Sequence, residues 1–176
     1  MSDNIRMTFD HFAITAISFN LNRDFHSEKD VTVSPEIEGR ADYEKKTRKL
    51  QAFMKVSLNS GNLPFYLTVE GVGVLTFDGD PDQKTLNNIS SINAPAIIFP
   101  YIRETVADIT RRAGFPPLHL PPVNFVNIAK KAAPADIHSG KNIAKISATV
   151  GKAKASKKTL KNYVWRTFTH KATKNS

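Results

Sequence analysis

Apolar residues alternate along the first eighty positions of the chain and then change period. The run FAITAISFNLN, Phe12 to Asn22, places Phe12, Ile14 and Ala16 on one side and Ile17, Phe19 and Leu21 on the other. The phase switch at Ala16–Ile17 predicts a β-bulge or a strand apolar on both faces. DVTVSPEIEG is a shorter strand broken by Pro35, which suits a sheet edge because proline has no N–H to give a ladder. RADYEKKTRK reads as a hairpin connection or a strand facing water. In LQAFMKVSL, residues Leu50, Ala52, Met54, Val56 and Leu58 fall in phase. After the turn SGN, LPFYLTVEGVGVLTF is a long strand whose Gly71 and Gly73 mark a bend or a close backbone approach. Four strands joined by short connections predict an antiparallel meander rather than βαβ units.

From Pro95 onward the spacing is helical. Ile98, Ile102, Val106, Ile109 and Ala113 share one face, and Arg103, Glu104, Asp108, Arg111 and Arg112 take the other. Asp108 precedes Arg111 and Arg112 by three and four residues, the stabilising order. Asn93 is suited to cap the helix with Pro95 in its first turn, and Pro100 predicts a kink or the true start. Gly114 followed by Pro116 is a stop signal. The next stretch, RAGFPPLHLPPVNF, has four prolines in two pairs with Phe115, Leu118, Leu120, Val123 and Phe125 threaded between them. A helix is barred there and a sheet centre would reject it, yet the side chains are not those of a solvated linker. VNFVNIAKKAA then predicts a short helix capped by Asn124 and ended near Pro134.

Charge divides the chain. Residues 1–125 hold 13 Lys/Arg against 15 Asp/Glu, whereas residues 126–176 hold 12 Lys/Arg against one acid, Asp136. The organisation expected is a near-neutral domain over 1–134 and a basic tail, largely without structure, over 135–176. The 176 residues suffice for a buried core without staples, and the absence of cysteine excludes disulfides, thiolate metal sites and cysteine nucleophiles. No apolar run has the roughly 18–20 residues of a membrane span. MSDNIRMTFDHF lacks the apolar core of a signal peptide, so the expected location is cytoplasmic.

Candidate chemistry is sparse. No two of His11, His26, His119, His138 and His170 have helical ligand spacing. Asp78, Asp80 and Asp82 alternate like the start of a calcium loop, but Gln83 and Ile89 stand where its glycine and closing glutamate belong. Gly71-Val72-Gly73 is half a dinucleotide fingerprint inside a strand pattern. These features predict a chain that is not an enzyme and uses neither cofactor nor metal.

One long block does carry a signature. NAPAIIFPYIRETVADITRRAGFPPLHLPPVNF resembles the SecB family of protein-export chaperones through Pro95, Ile97, Ile98, Phe99, Pro100, Tyr101, Arg103 and Glu104, and then Phe115, Pro116, Leu118, Leu120, Pro122, Val123, Asn124 and Phe125. ISF at Ile17–Phe19 and FYLTVEGVGVLTF extend the likeness, which covers about residues 7–130. The resemblance implies an α+β fold: a four-stranded antiparallel sheet packed by one long helix and a short C-terminal helix. It implies a homo-oligomer, a dimer or tetramer. It implies an ATP-independent holdase that binds unfolded or precursor polypeptides in apolar grooves and keeps them competent for export. The proline loop fits that task, because a rigid segment presents apolar side chains at little ordering cost. The client-binding groove expected on this basis comprises Val33, Ile37, Phe115, Leu118, Leu120, Phe125 and Ile128.

Two departures bear on partners. The family docks the motor SecA through acidic residues on the exposed sheet face and through its C-terminal segment. The matching sheet positions here are Ala16, Asn20 and Thr68, and a basic tail replaces the segment, so SecA binding does not carry over. Relatives dedicated to the antitoxin of a toxin–antitoxin system are the alternative that this loss suits. A second alternative is nucleic-acid or ribosome binding through Lys152, Lys154, Lys157, Lys158, Lys161 and Arg166 of the tail.

Overall fold

A computed structural model describes residues 5–26, 31–59, 63–131, 146–149 and 153–155. Its centre is an antiparallel sheet of β1 (Met7–Leu21), β3 (Glu36–Glu44), β4 (Lys49–Leu58) and β5 (Phe65–Phe77), packed on one face by the long helix α2 (Ala94–Arg112). The α+β architecture expected from the sequence is therefore present. The strand order is not the expected meander. It runs β1-β5-β4-β3, so the chain crosses from one edge of this sheet to the other between β1 and β3. That is a Greek-key connection. Length favours it: β1 has 15 residues and β5 has 13, whereas β3 has only 9.

The phase switch in β1 is a bulge. Its register with β5 shifts between Phe9 and His11 and again between Ile14 and Ala16. Each shift restores one face. Met7, Phe9, Phe12, Ile14, Ile17, Phe19 and Leu21 pair with Phe77, Leu75, Gly73, Gly71, Val69, Leu67 and Phe65, the residues of β5 that face the helix. Without the bulges the two halves of β1 would present their apolar residues to opposite sides.

Gly71 and Gly73 allow α2 to lie directly on β5. A Cβ on Gly73 would collide with Ile98 Cγ2, and one on Gly71 would stand 2.5 Å from Phe12 Cζ and 3.0 Å from Ile102 Cδ1. The close approach predicted from these glycines is thus real, and Ile98, Ile102 and Val106 are fully buried against the sheet.

The helical region begins earlier than the apolar pattern suggested. Asp82 caps α1 (Gln83–Asn88), its carboxylate accepting the Thr85 N–H at 2.7 Å. A π turn, Ile89–Asn93, joins α1 to α2, and the Ala94 N–H reaches back to the Ile89 carbonyl. Asn93 makes no side-chain cap. The wide turn precedes Pro95, whose ring would otherwise press on a carbonyl one turn back. Pro100 lies inside α2 without ending it. At the other end the Gly114 N–H bonds to Arg111 O at 3.1 Å and the Phe115 N–H to Thr110 O at 2.9 Å. That pair of bonds, with Gly114 at φ 85°, is a Schellman cap. The short helix α3 (Phe125–Lys131) follows, with Asn124 Oδ1 accepting the Asn127 N–H at 3.1 Å as its sequence predicted.

Within residues 135–176 two segments are strands. β6 (Ile146–Thr149) pairs with β3 and becomes the fifth strand of the sheet, and β7 (Ala153–Ala155) pairs with the short β2 (Val31–Val33).

Candidate functional site

The proline loop lies over one end of the sheet, and α2 holds it there. Thr110, wholly buried, donates its hydroxyl to Val106 O at 2.9 Å and accepts the Leu118 N–H at 3.0 Å. The loop's first aromatic, Phe115, meets Phe65 of β5 at 4.9 Å between ring centroids and Phe19 of β1 at 6.3 Å. Phe19 and Phe65 stack at 5.3 Å. At the far end of the loop, Phe125 of α3 meets Phe99 of α2 edge-on at 5.8 Å.

The expected groove residues are brought together, but as a covered set. Val33, Ile37, Phe115, Leu118, Leu120 and Phe125 are all buried members of one apolar cluster, and Ile128 packs against it half-buried. In the single chain they are floor rather than open wall. Val33 and Ile37 belong to the β2–β3 edge, and the other five belong to the loop and α3.

The open apolar surface lies elsewhere, on β1. The long helix packs mainly on β5 and β4 and only marginally on β1. Of the helix-side residues of β1, Ile14, Ile17 and Leu21 are therefore 36%, 45% and 48% exposed. Phe19, between Ile17 and Leu21, leads from this strip into the Phe65–Phe115 cluster. Tyr101 of α2, itself exposed, stacks on Phe12 at 5.0 Å and Phe9 at 5.8 Å and so borders the strip further along. Sequence reasoning missed this surface. The bulge that aligns the five apolar residues from Phe12 to Leu21 was legible only as an ambiguity of phase, and the reach of α2 across the sheet has no local signature.

The opposite face of the sheet is polar. Ala16, Asn20 and Thr68 do fall there, with Glu70 facing Ala16 across the ladder. The Arg40 guanidinium sits 3.9 Å above the Phe53 ring and pairs with Asp42 at 2.8 Å. The three aspartates of the apparent calcium loop are otherwise engaged. Asp82 caps α1, Asp78 Oδ1 accepts the Arg6 N–H at 2.8 Å, and Asp80 lies 3.7 Å from Arg48 Nε. Among the described residues no helix is long and apolar enough to cross a membrane. Of the tail cations considered above, Lys154 lies on β7, and Lys152, Lys157, Lys158, Lys161 and Arg166 lie outside the described residues.

Residues 8–134 match the family model for the preprotein translocase subunit SecB. A protein-export protein SecB from Dinoroseobacter shibae is 33% identical over 110 residues, 56% of this chain and 63% of that protein. One from Roseobacter denitrificans is 39% identical over 80 residues, 46% of this chain and 47% of that protein. The chain thus spans less than two thirds of the length of these relatives. Among solved structures, a SecB-like chaperone from Mycobacterium tuberculosis in complex with a ChAD peptide from an antitoxin superposes with a TM-score of 0.58 at 18% identity. The match covers 67% of this chain and 91% of that one. At that identity the likeness concerns the fold.

Proposed function

The chain belongs to the SecB family, and on that premise we propose that it is an ATP-independent holdase that keeps unfolded polypeptides competent for export. The observation that carries the reading is the uncovered strip of Ile14, Ile17 and Leu21, continuous through Phe19 with the proline loop. Apolar burial is non-directional and stabilises at roughly 25 cal/mol per Å² whatever the client's sequence. A surface of this kind therefore grips many chains weakly. Several such strips on one oligomer add through effective concentration.

Self-association fits the same geometry. Among the described residues β1 has a strand partner, β5, on one side only. Antiparallel pairing of β1 with a second copy would extend the sheet and place two strips on one face. The loop residue Phe115, in ring contact with Phe19, then adjoins the client contact, whereas Val33 and Ile37 lie toward the opposite edge of the sheet.

The experiment uses Ile17→Asp with Leu21→Asp, because both side chains are exposed and the fold does not depend on them. Suppression of light scattering by a chemically denatured, diluted client is expected to fall at least tenfold in the concentration required. Unchanged suppression would contradict the reading. Charging Leu118 and Leu120 instead would be uninformative, since both are buried and their replacement unfolds the loop.

A narrower reading, a chaperone dedicated to one antitoxin, draws support from the peptide bound to the mycobacterial SecB-like neighbour. The names of the SecB relatives favour the export reading.

A further inference from the structure

Two short ladders involve neighbouring stretches of the chain, one with β3 at the edge of the main sheet and one with β2 in a separate two-stranded sheet. Glu36, Ile37, Glu38 and Gly39 pair with Thr149, Ala148, Ser147 and Ile146, and Val31, Thr32 and Val33 pair with Ala155, Lys154 and Ala153. Both ladders are antiparallel and follow the same sense along the chain. The register advances by one residue between them, beside Ser34 and Pro35. An unbroken ladder is barred there because Pro35 has no N–H. β4 occupies the other side of β3, and β6 also lies against α3.

The position matters more than the pairing. The elements that β6 and β7 touch are those bearing Val33, Ile37, Phe125 and Ile128, four of the residues expected to contact client. The segment ISATVGKAKA, residues 146–155, has no acid, no aromatic and mostly small side chains. The pairings that join β6 and β7 to β3 and β2 are main-chain ladders. Main-chain pairing at a sheet edge is indifferent to sequence, the same property that a promiscuous binder of extended chains requires.

We propose that the edge formed by residues 31–33 and 36–39 receives extended polypeptide by strand addition, and that β6 and β7 occupy it as a tethered competitor which a client displaces. The inference rests on the holdase reading above. A tethered segment acts at an effective concentration of roughly millimolar. The apparent affinity for client is reduced by the fraction of molecules in which the edge is filled. The arrangement also protects an otherwise open edge from pairing with like edges. A mere cover differs from a competitor in one respect: fixing it in place leaves client binding unaltered.

The natural chain lacks cysteine, so a single engineered pair is unambiguous. Glu38→Cys with Ser147→Cys places thiols on facing residues of the β3–β6 ladder, at the backbone separation that a cross-strand disulfide spans. Both are introduced in the full chain, and binding of reduced, carboxymethylated α-lactalbumin, a permanently unfolded protein, is measured before and after oxidation. The expected result is ready closure of the disulfide, at least tenfold weaker binding when it is closed, and recovery on reduction. Ala148→Pro, which places a strand-breaking residue opposite Ile37 and alters the tail alone, is expected to bind at least threefold tighter than the natural chain. Failure of the disulfide to close, or equal binding by the oxidised and reduced forms, overturns the proposal. If the natural chain and Ala148→Pro both ignore unfolded protein, the holdase reading fails and this inference falls with it. If both bind but oxidation changes nothing, only the inference is lost.

Discussion

The Thr110 hydroxyl accepts the backbone N–H of Leu118 at 3.0 Å, joining the last turn of α2 to the middle of the proline loop. The same hydroxyl donates to Val106 O at 2.9 Å, so a single buried atom serves the helix and the loop together. Threonine in a helix interior ordinarily offers only the second of these bonds. Here the first one satisfies a donor, beside two prolines, that is buried away from water.

Thr110→Val keeps the shape and removes the acceptor. The Leu118 N–H is then buried without a partner, at a cost of about 1–3 kcal/mol. Thr110→Ser is expected to lose less, because its hydroxyl can make both bonds. Urea unfolding monitored by the aromatic residues checks the ranking. Equal midpoints for Thr110→Val and the natural chain would show that the bond contributes nothing.

Gly73 tests how closely α2 sits on the sheet. An added methyl meets Ile98 Cγ2 and, at 3.3 Å, the Phe9 ring. Gly73→Ala should destabilise the fold by about 1–3 kcal/mol through forced displacement of α2. Gly79→Ala, whose methyl would meet nothing closer than 3.5 Å, is the control. Thermal denaturation of the two proteins separates crowding from the general effect of replacing glycine.

Asp108 accepts from Arg112 Nε at 2.6 Å and from Arg111 at 2.5 Å, and these bonds hold its carboxyl below the usual aspartate range. A carboxyl lowered in the folded state adds stability above its unfolded pKa of about 3.9, and that stability is lost as pH falls through the folded value. The difference in stability between the natural chain and Asp108→Asn is therefore expected to be constant near neutrality and to shrink toward zero in acid. Chemical denaturation across that range measures it. A difference that grows on acidification would contradict the assignment.

Much of the fold could be read because each signal was local. The alternation of Leu50 to Leu58, the Asn124 cap, the Gly114 stop and the Asp108 pairings depend on residues within a few positions of one another. The strand order was not local: nothing near Phe12 says that it pairs with Gly73 rather than with β3. The start of the helix was hidden because α1 is polar, with Leu86 its one buried side chain. The groove shows the same division. Phe115, Leu118 and Leu120 were expected at a groove wall from the company of prolines, but they are buried, and whether such a side chain is covered depends on how far α2 reaches. That reach left Ile17 and Leu21 open, while the C-terminal strands fell on the opposite edge, beside Val33 and Ile37.

The central claim is that unfolded chains are held on the helix side of β1. A photo-crosslinking residue, p-benzoylphenylalanine, placed singly at Ile17, Leu21 or Asn20 tests it on one strand, since Asn20 is exposed on the opposite face. With an unfolded client present, Ile17 and Leu21 are expected to give client adducts at several times the yield from Asn20. Equal yields from all three positions, or adducts only with a second copy of the chain, would contradict the account.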